Sequence, residues 1–234
     1  MAERRYHHGD LRTALLDAAE ALIRERGLDG WSLREASIRI GVSPSAAYHH
    51  FDSRDGLVCA LSERVLARLG ERLGRAAGRA RGGRQQRLIA VGRSYVHWAM
   101  DDPAVARLVF GAGHTERETP LSPHPHDVLV AELDRLVQAG ELPAAARPGA
   151  EFIVWAALHG LATLLADGLI RLDSQRAVGR EVERLVQAVL TGLAQEPAPS
   201  PAWPTPQSTH TERLARSQAS RSAPPNQRQH GHQP

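Results

Sequence analysis

The side chains best suited to chemistry in this chain are arginines and histidines gathered around residues 32–54, SLREASIRIGVSPSAAYHHFDSR. Guanidinium and imidazolium groups neutralise phosphate, and phosphate neutralisation supplies most nucleic-acid affinity. Arg4, Arg5, Arg34 and Arg54, with the histidines of that stretch, form the cationic set. No basic segment stands behind them: residues 1–60 hold eight arginines (4, 5, 12, 24, 26, 34, 39, 54) against nine acids (3, 10, 17, 20, 25, 29, 35, 52, 55). Charge must therefore be sorted by face, with Asp17, Glu20 and Glu25 turned away from the cationic surface.

The elements that must hold these groups are legible from caps and breakers. Ser32 and Glu35 make an S-x-x-E capping box, which opens a short helix. Gly41 can take the positive φ at which that helix stops. Ser43 caps a second short helix with Pro44 at its first position, where the missing N–H costs nothing. Two helices this short, joined by three residues, form a helix-turn-helix, so the expected function is to read DNA. Ahead of it, Leu11, Ala14, Leu15, Ala18, Ala19, Leu22 and Ile23 follow helical spacing, with Asp10 as the expected N-cap and Gly27 as the end. Trp31 is placed to staple this helix to the next. Ser53 opens a longer helix with the stripe Leu57, Leu61, Val65, Leu66, Leu69, expected to fade near residue 74.

Further along, the apolar positions again follow helical periods. Leu88, Val91, Tyr95, Trp98 and Ala99 form one face, stopped near Asp102–Pro103. Val105, Leu108, Val109 and Phe110 form a short helix ending at Gly111, and residues 111–126 read as a Gly/Pro/His-rich loop. Val128 to Val137 form a helix closed by Gly140. Residues 152–170 are apolar almost all round, as in a helix buried on several sides, and Val182 to Leu193 carry a last stripe. No alternating strand pattern occurs, so the fold class is all-α.

The run SLREASIRIGVSPSAAYHHFDSRDGL, preceded by a helix ending ERGLDGW, resembles the TetR family of bacterial transcriptional regulators. The second half resembles the C-terminal subclass named for a Trp-His-Gly pattern, here Trp155–Ala–Ala–Leu–His159–Gly160, supported by Tyr95-Val96-His97-Trp98-Ala99 and Asp102-Pro103. Together the resemblances cover residues 8–194. They imply base-edge reading by Arg34, Pro44, Ser45, Ala46 and Tyr48, and phosphate contact by Tyr48, His49, His50, Arg54, Arg4 and Arg5. A guanidinium can bind guanine O6 and N7 in bidentate fashion, while small residues let the helix come close. Arg34 has a competing reading, an ion pair with an acid on its own helix. Ala36, Ser37 and Ala47 depart from the family's bulkier residues and imply looser packing inside the motif, with Trp31 as filler.

The resemblance further implies a small-molecule effector. Tyr95, Trp98, Phe110, Trp155 and His159 are the expected pocket, since Trp155 and His159 lie one turn apart on a helix face and a mostly apolar cavity with few polar groups is the usual construction. The expected product is a repressor released from a palindromic double-stranded DNA operator. One short recognition helix reads few base pairs, so a homodimer is expected, joined through helices near 150–170 and 178–194 and reaching successive major grooves.

The histidines also admit readings of other classes. His114, His124 and His126 with Asp127 have spacing that could hold a metal, which would make an all-α metal-dependent hydrolase, but Pro123 and Pro125 favour an unstructured stretch. A further alternative is an architectural DNA-binding protein without an effector. No cofactor, catalytic or metal-ligating residue is assigned. Cys59 is the single cysteine, in an apolar run where it reads as a small core hydrophobe and fits a reducing cytoplasm. No stretch is long and apolar enough for a membrane helix, and MAERRYHHGD lacks the apolar core of a signal peptide. All 29 basic residues are arginine. Five of them lie in 74–87, GRAAGRARGGRQQR, read as a solvated helix end rather than an added nucleic-acid contact. The expected organisation is a DNA-binding domain at 1–53, an effector-binding and dimerisation domain at 54–195, and a disordered tail at 196–234, whose Pro/Ser/Gln-rich composition buries little.

Overall fold

The computed structural model describes residues 8–111 and 124–195, all of whose regular structure is helical. Arg4, Arg5, His114 and the tail lie outside the described residues, as does the side chain of Phe110. The elements are α1 (His8–Arg26), α2 (Leu33–Arg39), α3 (Pro44–Tyr48), α4 (Arg54–Arg79), α5 (Arg84–Asp101), α6 (Pro103–Gly111), α7 (Pro125–Gln138), α8 (Ala150–Ala166) and α9 (Gln175–Gln195).

Local signals decide most boundaries. The Ser32 hydroxyl accepts from the Glu35 amide at 3.2 Å, and the Glu35 carboxylate accepts from the Ser32 amide at 2.9 Å. Gly41, at φ +75°, ends α2, and the Val42 amide reaches back to the Ser37 carbonyl. Ser43 and Ser53 then cap α3 and α4 by accepting from the Ala46 and Gly56 amides.

Four boundaries differ from expectation. α1 begins at His8, which puts Asp10 inside the helix rather than at its cap. α4 runs on to Arg79 because Leu73 and Ala77 extend its buried stripe. α7 starts at Pro125: the His124 imidazole accepts from the His126 amide at 3.2 Å, and Asp127 accepts from the His124 amide, so an aromatic residue completes the capping box. α8 stops at Ala166, where Gly168 takes φ +71° and the Ile170 amide returns to the Leu164 carbonyl. Leu169 and Ile170 are therefore outside the helix, with Leu169 73% exposed.

Buried side chains fall into two clusters. One joins α1–α3 to the first half of α4 and takes in Val105, Leu108 and Val109 of α6. The other joins the rest of α4 to α5, α7, α8 and α9, with Ala106 of α6 at its border. α6 thus stands between the clusters. In the second cluster α5 presses close to α8 and α9 at Gly92, where an added Cβ would meet Leu158 at 2.9 Å and Val182 at 3.0 Å.

Candidate DNA-reading surface and adjoining cavity

Burial separates the reading motif into an inner and an outer set. Leu33, Ala36, Ser37, Ala47 and Phe51 are buried, and the Ser37 hydroxyl donates to the Arg34 carbonyl at 2.7 Å. Trp31 packs into the same cluster and compensates for the small residues at 36, 37 and 47. Arg34, Ser45, Tyr48 and His49 are exposed, Tyr48 by 52%. Pro44, Ala46, His50 and Arg54 are half-buried. Arg34 makes no ion pair among the described residues, since the neighbouring Glu35 is taken by Arg26 at 2.7 Å.

Two exposed residues of this surface carry no obvious sequence signal. Ile38, one turn beyond Arg34 on α2, is 59% exposed although apolar. Arg12 of α1 lays its guanidinium over the Phe51 ring, 4.9 Å from the centroid, which sets a cation beside the end of α3. Asp17, Glu20 and Glu25 of α1 are spent on arginines. Asp17 binds Arg64 at 2.7 Å, and Glu25 binds Arg39 at 2.5 Å. Glu20 is buried among Arg24, Arg64 and Arg68 at 2.5–2.9 Å. Burial alone would raise the Glu20 carboxyl, but hydrogen bonds and charge from Arg68, then Arg24, take it below the usual glutamate range. Arg24 also reaches Asp102 of the α5–α6 junction at 2.8 Å.

Arg54 serves the fold as well as the surface. Its guanidinium donates to the Leu28 carbonyl and lies 4.8 Å over the Trp31 ring. One of its amino groups is thereby turned inward, onto the loop between α1 and α2. In the arginine-rich stretch, Arg75 pairs with Glu71, Arg84 with Glu141 and Arg87 with Glu132. Three of its five arginines thus have acidic partners within the chain.

Four of the five expected effector residues, Tyr95, Trp98, Trp155 and His159, gather into a stack. Tyr95 is buried, with its ring 4.8 Å from that of Trp155 and 6.1 Å from that of Trp98. Trp155 and His159 lie parallel at 6.1 Å. The Tyr95 hydroxyl is 2.9 Å from His159 Nδ1. Desolvation pushes the Tyr95 phenol up and the His159 imidazole down, which keeps both neutral at pH 7. A cavity of about 330 Å³ opens beside the stack. Of the expected residues, it is His159 that lies on its wall; the rest of the wall comes from Leu28, α5, α6 and the second half of α8. His124 caps α7 by accepting from the His126 amide, and among the described residues no group of three ligands is arranged for a metal. None of the described helices is long and apolar enough to cross a membrane.

Residues 15–61 match the family described as "Bacterial regulatory proteins, tetR family", and residues 88–189 match "Tetracyclin repressor-like, C-terminal domain". Over 92 residues the chain is 34% identical to the HTH-type transcriptional regulator BetI of Brucella anthropi, a match spanning 38% of this chain and 47% of that protein. Thus about half of this curated relative is covered. A structure of a protein of unknown function from Rhodococcus sp. RHA1 superposes with a TM-score of 0.71 at 30% identity, covering 82% of this chain and 100% of that one. A TetR-family regulator from Pectobacterium atrosepticum shares the fold at a TM-score of 0.59 and 22% identity, over 81% and 96% of the two chains.

Proposed function

Since the chain belongs to the TetR family of bacterial regulatory proteins, we propose that it is a sequence-specific DNA-binding transcriptional regulator, a repressor released from its operator by a small molecule. The observation that carries this reading is the outer face of α2 and α3. Arg34, Ser45, Tyr48 and His49 stand exposed on a motif whose inner face is packed, while Asp17, Glu20 and Glu25 of α1 are paired with arginines of α4, α1 and α2. Arg34 reads a base edge, Pro44, Ser45 and Ala46 permit close approach, and Tyr48, His49 and His50 hold phosphates. Arg12 adds charge beside the end of α3, and Arg4 and Arg5, outside the described residues, are assigned to phosphate contact by the family resemblance alone. We take residues 1–53 as the reading domain and 54–195 as the regulatory one, with the first half of α4 and part of α6 packed against the core of the former.

The protein acts as a homodimer through α8 and α9. Ile153 and Leu164 are exposed apolar residues three turns apart on α8, a face that a second copy would cover. Pairing sets two recognition helices about 34 Å apart, the spacing of successive major grooves. Selection from a random duplex library by gel shift should return a palindrome with half-sites about one helical turn apart, and light scattering should give twice the chain mass. A monomer that binds tightly, or a library with no enriched sequence, would overturn this reading.

A further inference from the structure

The cavity beside the aromatic stack occupies the seam between the two buried clusters. Leu28 contributes to it from the α1–α2 loop, Ala106 and Arg107 from α6, and Ala162, Thr163 and Ala166 from α8. At about 330 Å³ it is at the small end of ligand sites, which run from about 300 to 1,000 Å³. Alanines make much of the wall, so the space is apolar without being filled by side chains. Its charged groups are already paired, Arg107 of α6 with Asp167 at the end of α8 at 2.7 Å. An ionic guest would have to break that bridge or be desolvated without a partner, whereas a neutral guest does neither. Polar contact is offered by His159 and the Thr163 hydroxyl.

Leu28 gives this cavity a line to the DNA-reading motif. Its side chain faces the cavity, and its carbonyl accepts from the Arg54 guanidinium that covers Trp31. α6 has the same double allegiance, with Ala106 and Arg107 on the cavity and Val105, Leu108 and Val109 in the core of the reading domain.

The geometry points to this seam cavity as the effector site, taking a small, neutral, mostly apolar molecule with one hydrogen-bonding group, such as a singly substituted phenol or alcohol on one ring. It rests on the regulator reading above, and it places the signal at direct contact with Leu28 and α6 rather than inside the Tyr95–Trp98–Trp155 stack. An occupant wedges α8 from α6, and the motif follows through Leu28.

The test uses the full chain with methyl-labelled alanine, and p-cresol, benzyl alcohol and indole as probes. One or more of these should shift the Ala106, Ala162 and Ala166 methyl resonances, while 4-methylbenzoate and 4-methylbenzylammonium should not. The same probe should weaken the selected operator about fivefold or more in gel shift. Thr163→Trp, which fills the cavity from an exposed position, should abolish both responses. Leu28→Ala should keep the methyl shifts and lose most of the operator response. Three results would overturn the inference: no shift with any neutral probe at millimolar concentration, equal shifts with the charged analogues, or shifts with operator affinity unchanged. The methyl shifts are read without DNA, so failure to select any operator would refute the regulator reading separately. Release by a molecule that leaves these methyls unmoved would uphold that reading and refute the seam site.

Discussion

At the scale of single residues, two arginines of one motif have opposite duties. Arg34 is exposed and without an ion pair among the described residues, so Arg34→Ala should leave the melting temperature unchanged. It should cost about 1–3 kcal/mol of operator affinity and relax preference at one base position in gel shift. Arg54 is engaged with the Leu28 carbonyl and the Trp31 ring. Arg54→Ala should lower thermal or denaturant stability by about 1–3 kcal/mol, because a buried carbonyl loses its donor and the indole its cover. Arg54→Lys should not restore it, since an ammonium lacks the planar fork. If Arg54→Ala melts like the parent and only lowers the salt slope of DNA binding by about one, the inward role is refuted. Arg54 stands where the family motif implies a phosphate contact; its inward partners are 26 and 23 residues back along the chain, and no local pattern announces them. The same holds for Tyr95 and His159, whose 2.9 Å contact joins residues 64 apart. Caps, by contrast, act within three residues, and the Ser32–Glu35 box could be read directly.

Helices were legible wherever an apolar period met a cap, and least legible where a cap used an unusual residue. No propensity argument nominates histidine at an N-cap, so the sequence around the start of α7 reads as loop. The end of α4 was missed for a different reason: Gly74 and Gly78 interrupt the apparent stripe, although Leu73 and Ala77 continue it. Those glycines have opposite value from Gly92. A Cβ at Gly74 would meet nothing within 4 Å, so Gly74→Ala should stabilise the protein by about 0.5–1 kcal/mol through lower backbone entropy of the unfolded chain. A Cβ at Gly92 would strike Leu158 and Val182, so Gly92→Ala should destabilise by about 1–3 kcal/mol. Chemical denaturation of both variants checks the pair, and equal effects would contradict the packing at the α5–α8–α9 crossing.

At the scale of the whole molecule, Glu20 is, with Glu132, one of two buried carboxylates among the described residues. It neutralises arginines of α1 and α4, and through Arg24 the network reaches Asp102 at the α5–α6 junction. Glu20→Gln should destabilise by about 2–4 kcal/mol, since three guanidinium groups would be left without their shared anion. The pH dependence follows from the sign of each shift. The folded-state pKa of Glu20 is depressed, so its contribution is complete above the ordinary glutamate value and is lost as pH falls through the lower folded one. His159 is also depressed, by burial, so its contribution is present above the ordinary histidine value of about 6.5 and declines below it. Acid unfolding should therefore begin with a shallow loss below about pH 6.5 and steepen below the glutamate range. Glu20→Gln should remove part of the steep phase, and His159→Gln should flatten the shallow one. Charge composition alone could not disclose this, because the first sixty residues look balanced until Asp17 and Glu20 are seen to pair with Arg64 and Arg68 of α4.

The distribution of indoles makes the molecule its own spectroscopic instrument. Trp31 is sealed in the reading domain beneath a guanidinium, while Trp155 packs in the other cluster and Trp98 borders both, each against Tyr95. Replacing Trp98, Trp155 and Trp203 by Phe leaves emission that follows the Arg54 clamp, and replacing Trp31 and Trp203 leaves emission that follows the aromatic stack. Rapid mixing of the two variants, unlabelled, would then show which end of the chain responds first and how long the other takes to follow.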